Sequence, residues 1–197
     1  MTIGIPEWWD GPRRWRALNA LLPIANRRGP AVTGIVVHSQ GRFGRNKGNW
    51  VAGDSQGHAR HFGLDIIGWT GDDGLHPLET TTVCCGPIDG VVAWVGADEH
   101  GHTSINLRHS PRNAERRRFS FFGDLEKVYV KAGQRVPAGT WLGVPCLFSR
   151  KCRFFHFGMG YEVKRNGKWH DIFIDPGAAL RAKITLKPEL PWNDGAR

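Results

Sequence analysis

His61-Phe62-Gly63-Leu64-Asp65-Ile66-Ile67 and Phe154-Phe155-His156-Phe157 are the two stretches on which the reading of this chain turns. Each is short, apolar or aromatic, and free of any helical period, so each reads as a strand. In a strand, residues i, i+2 and i+4 share one face. His61, Gly63 and Asp65 therefore fall on one face, and the missing side chain at Gly63 leaves room for an ion between the outer two. In the later stretch, Phe155 and Phe157 point to the core, which leaves His156 and Phe154 on the opposite face. Two imidazoles and a carboxylate are three of the four ligands that a catalytic zinc takes, water being the fourth. His58, three residues before His61 in a loop-like segment, is a poorer ligand candidate.

Similar strand signals lie between and around these stretches. They fall at Gly34 to Ser39, Thr80 to Cys85, Gly90 to Val95 and Ser104 to His109. Further on they recur at Arg118 to Phe122, Val128 to Val130, Thr140 to Val144 and on through Val163. Turn residues punctuate them, with 26 glycines and 12 prolines scattered through 197 residues. The pattern predicts a mainly β, single antiparallel sandwich or groove domain. Residues 51–185 are expected to form it, behind an N-terminal extension and loop (1–50) and ahead of a polar tail (186–197). Within the extension, residues 14–22 can form a short helix whose Trp15, Leu18, Leu21 and Leu22 share a face. The glycine-rich segment 41–57 is a long loop running into His61, and long loops in compact domains are often functional.

The formal charge is +9. A basic surface suits polyanionic partners, whether nucleic acid, anionic membrane or anionic cell-wall polymer. Much of the excess sits between Arg108 and Arg118, where Pro111 and Asn113 mark a hairpin loop. No apolar run is long enough to span a bilayer as a helix. The first ten residues lack the basic and apolar regions of a secretory signal. Export by a non-classical route to the periplasm or cell wall is the expectation, with the cytoplasm as the alternative. Cys84 and Cys85 are adjacent and poorly placed to bond each other. Cys146 and Cys152 flank a short loop that a disulfide could staple in an oxidising compartment, or they remain reduced thiols. No Cys-x-x-Cys pair marks a zinc ribbon.

From about Gly57 to Pro176 the chain resembles the lysostaphin-type, LytM-like zinc endopeptidases that cut peptidoglycan cross-bridges. The resemblance lies in the order of His61-Phe62-Gly63-Leu64-Asp65, Asp89-Gly90-Val91-Val92-Ala93, Ile105-Asn106-Leu107-Arg108-His109, Val130 to Gly139, and His156-Phe157 ahead of Lys164-Arg165-Asn166-Gly167-Lys168. It implies the duplicated hybrid-motif fold, Zn2+ held by His61, Asp65 and His156, and peptidoglycan or its stem peptides as partner. It also implies two assisting histidines, and here the chain departs. Phe122-Gly123-Asp124-Leu125 places Asp124 where the first is expected, and Phe154 stands in place of the second. Phenylalanine carries no proton. Asp124 can act as a catalytic base, but its charge opposes an oxyanion. Losing one oxyanion donor costs on the order of 3 kcal/mol.

Two functions follow from the resemblance. One is an endopeptidase-like protein with atypical catalysis, delivered as an antibacterial effector, in which His102, His109 or the long loop supplies the missing donor. The other is an inactive domain that binds peptidoglycan or activates a partner hydrolase. Gly90 to Val95 and Lys131 to Gly143 also resemble biotinyl and lipoyl carrier hairpins, but no lysine sits between suitable half-motifs. Nucleic-acid binding has charge in its favour, yet no recognised motif supports it.

Overall fold

The computed structural model describes residues 22–44, 61–97, 101–110, 114–149, 152–180 and 183–187. Apart from Leu22, the expected helix over residues 14–22 lies outside the described residues. So do His58, the greater part of the 41–57 loop and the tail beyond Lys187.

The described chain is mostly β. Its strands are β1 (Ile24–Asn26), β2 (Gly34–His38), β3 (Gly63–Gly71), β4 (Gly74–Pro77), β5 (Thr82–Cys85), β6 (Gly90–Ala97) and β7 (Thr103–Arg108). They continue as β8 (Arg116–Val128), β9 (Arg135–Val136), β10 (Trp141–Ser149), β11 (Cys152–Arg165), β12 (Lys168–Ile174) and β13 (Lys183–Lys187). A 3-10 turn, Ser39–Gly41, follows β2, and one helical turn, α1 (Pro176–Ala179), precedes β13. Asp175 caps α1 by accepting the Gly177 N–H at 2.9 Å. No helix among the described residues is long and apolar enough to cross a membrane.

The main path of the sheet runs β13-β2-β3-β11-β10-β8-β7-β6-β9. Pairing is antiparallel except between β13 and β2, which run parallel. The expected mainly β, antiparallel domain is thus present, with one parallel pair at the end of the sheet path. Lys183 to Lys187 pair in register with Gly34 to His38. The hairpin expected at Lys164 to Lys168 joins β11 to β12, with Asn166 at φ 49° and Gly167 at φ 79°. Two successive left-handed residues give the tight turn that suits the twist of a hairpin.

β11 is central. One of its edges meets β3 and then β12, and the other meets β10 and then β8. Its register builds rows across three strands. Leu64, Phe157 and Phe122 form one row, exposed by 3%, 0% and 0%. Phe155 and Ile66, the next core pair, are also fully buried. These rows and Val37, Ile105, Leu107, Leu125, Leu142 and Met159 make the main core. The expected inward direction of Phe155 and Phe157 is borne out.

β8 differs from expectation in an informative way. Sequence signals broke it at Phe122 and resumed it at Val128, whereas one strand runs from Arg116 to Val128. It bends at Asp124, whose φ of 59° is left-handed. There β8 exchanges one neighbour for another, from β11 (His156↔Gly123) to β10 (Pro145↔Leu125). Aspartate tolerates this conformation better than most side chains. The break in apolar pattern at Gly123-Asp124 therefore marks a bend within the strand.

Candidate metal centre

The row beside Leu64-Phe157-Phe122 is Asp65 on β3, His156 on β11 and Gly123 on β8. By strand alternation it faces the other side of the sheet. The row beyond the core row is Gly63, Gly158 and Phe121. Glycines hold three of these six places, and neighbouring side chains pack over all three. His61 comes from the irregular segment just before β3, which starts only at Gly63. Its approach therefore does not follow from strand alternation, and Phe62 also lies on the site side. The Phe62 ring sits 4.7 Å from that of His156 and 4.4 Å from that of Phe173.

His61 Nε2, His156 Nδ1 and Asp65 Oδ1 form a triangle with all three sides 3.1 Å. Both histidines are buried, at 8% and 7% exposure. Hydrogen bonds alone cannot satisfy this triangle. Each ring nitrogen carries at most one proton, and that proton lies in the ring plane and points to one partner. Two protons cannot serve three sides. A cation at the centre would accept a lone pair from all three atoms. In a tetrahedral site with bonds of 2.0–2.1 Å, ligand atoms stand about 3.4 Å apart. The donor set fits zinc in both chemistry and spacing.

The second ring nitrogens, His61 Nδ1 and His156 Nε2, are buried without a hydrogen-bond partner among the described residues. The His156 Nε2 edge lies over Gly63, where an added Cβ would collide with it. The role expected for Gly63, room for an ion, is thus more accurately room for the ligand ring. Burial pushes the Asp65 carboxyl up, but hydrogen bonds and charge from His156 and His61 outweigh this and hold it well below the usual carboxylate range. The site thus keeps an anion, the form that holds a cation.

Sequence reasoning missed Gly41. A Cβ there would collide with the Asp65 carboxyl, so the 3-10 turn after β2 closes against that side chain. Gly44 N–H donates to the His61 carbonyl at 2.8 Å. The described start of the 41–57 loop thus lies against two of the three candidate ligands. Phe121, edge-on to His156, and Phe173, packed against Phe62, were also missed. An aromatic residue in a strand gives no sign of which ring it will meet.

Asp124 follows Gly123, and its side chain is 21% exposed. Its Oδ1 lies 3.4 Å from His102 Nδ1. His109 is committed elsewhere. Its Nδ1 lies 3.0 Å from the Asp89 carbonyl, which can only accept, so the proton sits there. Nε2 then accepts from the Ser120 hydroxyl at 2.8 Å. Burial pushes the His109 pKa down to about 4, with the Asp89 hydrogen bond opposing and the Arg118 charge assisting. The unfolded chain, with an ordinary pKa of about 6.5, binds this proton more readily. This contribution to stability is complete above about pH 6.5 and falls away as pH drops toward 4. Urea unfolding between pH 7 and 4.5 should show that loss in the wild type and a flatter profile in His109→Gln.

The four cysteines are free and buried. Cys146 is in register with Phe154, and Cys152 with Ser149. Burial raises the pKa of Cys84, of Cys85 to about 12, and of Cys152.

No protein-family model and no curated protein matches the chain. Among solved structures, the catalytic domain of the antimicrobial peptidase lysostaphin from Staphylococcus simulans is similar. It has 20% identity and a TM-score of 0.42, over 66% of this chain and 84% of that one. The longer lysostaphin structure has 19% identity and a TM-score of 0.41, over 72% and 52%. A zinc-containing peptidase from Vibrio cholerae has 18% identity and a TM-score of 0.41, over 82% and 41%. Likenesses of this size leave function to be read from the side chains.

Proposed function

We propose that this chain is a zinc-binding protein that acts on the peptide part of bacterial cell wall, with His61, Asp65 and His156 as the metal ligands. The observation that carries this reading is the triangle of three donor atoms, each 3.1 Å from the other two. The resemblance of the ordered motifs from Gly57 to Pro176 to lysostaphin-type endopeptidases supplies the substrate class. Zinc bound there would make a water acidic and polarise a peptide carbonyl.

The chain's own residues do the rest. The rings of Phe62 and Phe121 pack against His156, with Phe173 behind Phe62. Gly63 leaves room for the His156 ring to reach His61 and Asp65. Asp124, next to the His156 row, is the candidate base. An open cleft lined by Glu115, Arg116, Arg117, Lys164, Arg165 and Trp169, mostly basic, lies toward the far end of β8 and β11. The Arg117 guanidinium stacks 3.6 Å above the Trp169 ring. Cations and a flat ring suit an anionic polymer with apolar sugar faces.

With Phe154 in place of a proton carrier, turnover should be slow. Purified peptidoglycan incubated with the zinc-loaded chain, then analysed by mass spectrometry, is expected to yield new amino termini that Asp65→Ala does not produce. Retained pelleting with the polymer and no such products would replace hydrolysis by the second reading, an inactive binding domain.

A further inference from the structure

Beside the first donor set lies a second, composed differently. His102, Asp124 and Cys146 each present one ligand atom, and the three atoms lie within 4.8 Å of one another. They come from three places in the chain: the residue before β7, the bend of β8, and the middle of β10. We propose that they hold a second divalent ion of the zinc class, distinct from the ion at His61, Asp65 and His156.

The fold converges on this point for reasons visible in the backbone. β8 leaves β11 and joins β10 at Asp124, which sits at φ 59°. Pairing is irregular on both sides, between Val144 and Pro145 on β10 and between Thr103 and Ile105 on β7. Bulges of this kind re-aim side chains. A non-glycine residue held at positive φ is a small strain that the surroundings must impose. Its consequence is that the Asp124 carboxylate meets His102 at 3.4 Å. That matches the spacing of about 3.4 Å expected of ligand atoms around zinc.

Register ties the two sets to one face. His156 and Phe154 are two apart on β11 and share a face. Cys146 stands opposite Phe154, and directly opposed residues share a face as well. Two residues of strand span about 6.6 Å. The ions would therefore be neighbours without a shared ligand. Phe154 stands between them in this register.

A nucleophilic Cys146-His102-Asp124 relay would use the same residue types. It requires thiol and carboxylate at opposite nitrogens of the imidazole, well apart from each other. Here a carboxylate oxygen and Sγ lie within 4.8 Å of each other and of a single His102 nitrogen. The thiol is also only 1% exposed, a poor position for a nucleophile. An imidazole, a carboxylate and a thiolate form a mixed set that zinc and cobalt(II) accept. Binding releases the Cys146 proton to solvent, because only the thiolate ligates. The side chain of His102 is 33% exposed and offers a way in. An ion here would make Asp124 a ligand and withdraw it as a free base, so this inference competes with the catalytic role given to Asp124 above while leaving the first metal site intact.

The test uses the full chain, stripped with a chelator, loaded with cobalt(II) and dialysed. The wild type should retain two ions per chain and show a near-ultraviolet thiolate-to-cobalt band. Cys146→Ala should lose one ion and the band. His102→Gln, at a partly exposed position that tolerates change, should lose the same ion with its circular dichroism unchanged. His61→Ala should lose the other ion and keep the band. A wild type without the band, or a band that survives Cys146→Ala, overturns the second site. A single ion whose band survives His61→Ala would instead overturn the first site and leave this one standing.

Discussion

His156→Ala should cost the chain the ion of the first site and the stability that ion confers. Three donors at mutual separations of 3.1 Å form a chelating face, and His156 is central to it. It bonds Asp65 across the β3–β11 register and meets the His61 ring edge-on, with centroids 4.7 Å apart. Two remaining ligands cannot enclose a zinc ion. A ligand that binds only the folded state stabilises it by RT ln(1 + [L]/Kd), about 4 kcal/mol at a thousandfold excess over Kd. Zinc added to apo wild type should raise the urea midpoint accordingly, and the gain at this site should vanish in His156→Ala. Work in Cys146→Ala isolates that gain from any ion held by the second set. An undiminished zinc response in Cys146→Ala/His156→Ala would remove the donor triangle from consideration. Without metal, the same substitution strips Asp65 of the group most responsible for its low pKa. A depressed carboxylate contributes stability above its unfolded pKa of about 3.9 and loses it as pH falls below that. Apo wild type should therefore weaken with acid more steeply than apo His156→Ala.

The candidate ligand set is legible in the sequence because its residues sit in local patterns with a physical meaning. Asp65 and His156 alternate with fully buried Ile66, Phe155 and Phe157, so period-two reading places them on the face away from the core. His61 is harder, since it precedes β3. Its position depends on Gly44 and on the turn after β2, contacts that no local spacing encodes. The β8 bend was misread for a related reason. A left-handed aspartate and a change of strand partner look, in one dimension, like the end of a strand. The second donor set was illegible as a set. His102, Asp124 and Cys146 have no mutual spacing that suggests ligation, and only the convergence of β7, β8 and β10 brings them together. The parallel β2–β13 pair was invisible likewise, because a short β-branched run carries no mark of its neighbour's direction.

Gly63→Ala should damage stability and metal binding together, and this coupling distinguishes ring space from ion space. Gly63 does not occupy a left-handed conformation, so alanine meets no backbone strain there. The obstacle is occupancy. A Cβ would lie 2.5 Å from the Phe157 carbonyl oxygen and closer still to the His156 ring. The carbonyl cannot retreat, because Phe157 pairs with Leu64 in the core row and its side chain is fully buried. The ring can swing, but then Nδ1 leaves Asp65 and His61. Overpacking of this kind costs about 1–3 kcal/mol, and disturbance of a ligand's support costs about 10–100-fold in metal affinity. Gly123→Ala is the matched control. It lies in the same cross-strand row as His156, yet its Cβ would meet only side-chain atoms, Phe121 Cε1 at 3.1 Å and His156 Cβ at 3.4 Å. A small shift of the half-buried Phe121 ring relieves that contact, so the expected loss is within about 1 kcal/mol. Urea midpoints and zinc titration of the two variants check the contrast. Wild-type zinc affinity in Gly63→Ala would mean that the ring keeps its place and that the glycine serves some other need. A large loss in Gly63→Ala beside a small one in Gly123→Ala would show that the absent side chain between His61 and Asp65 is what lets a ligand from β11 reach both.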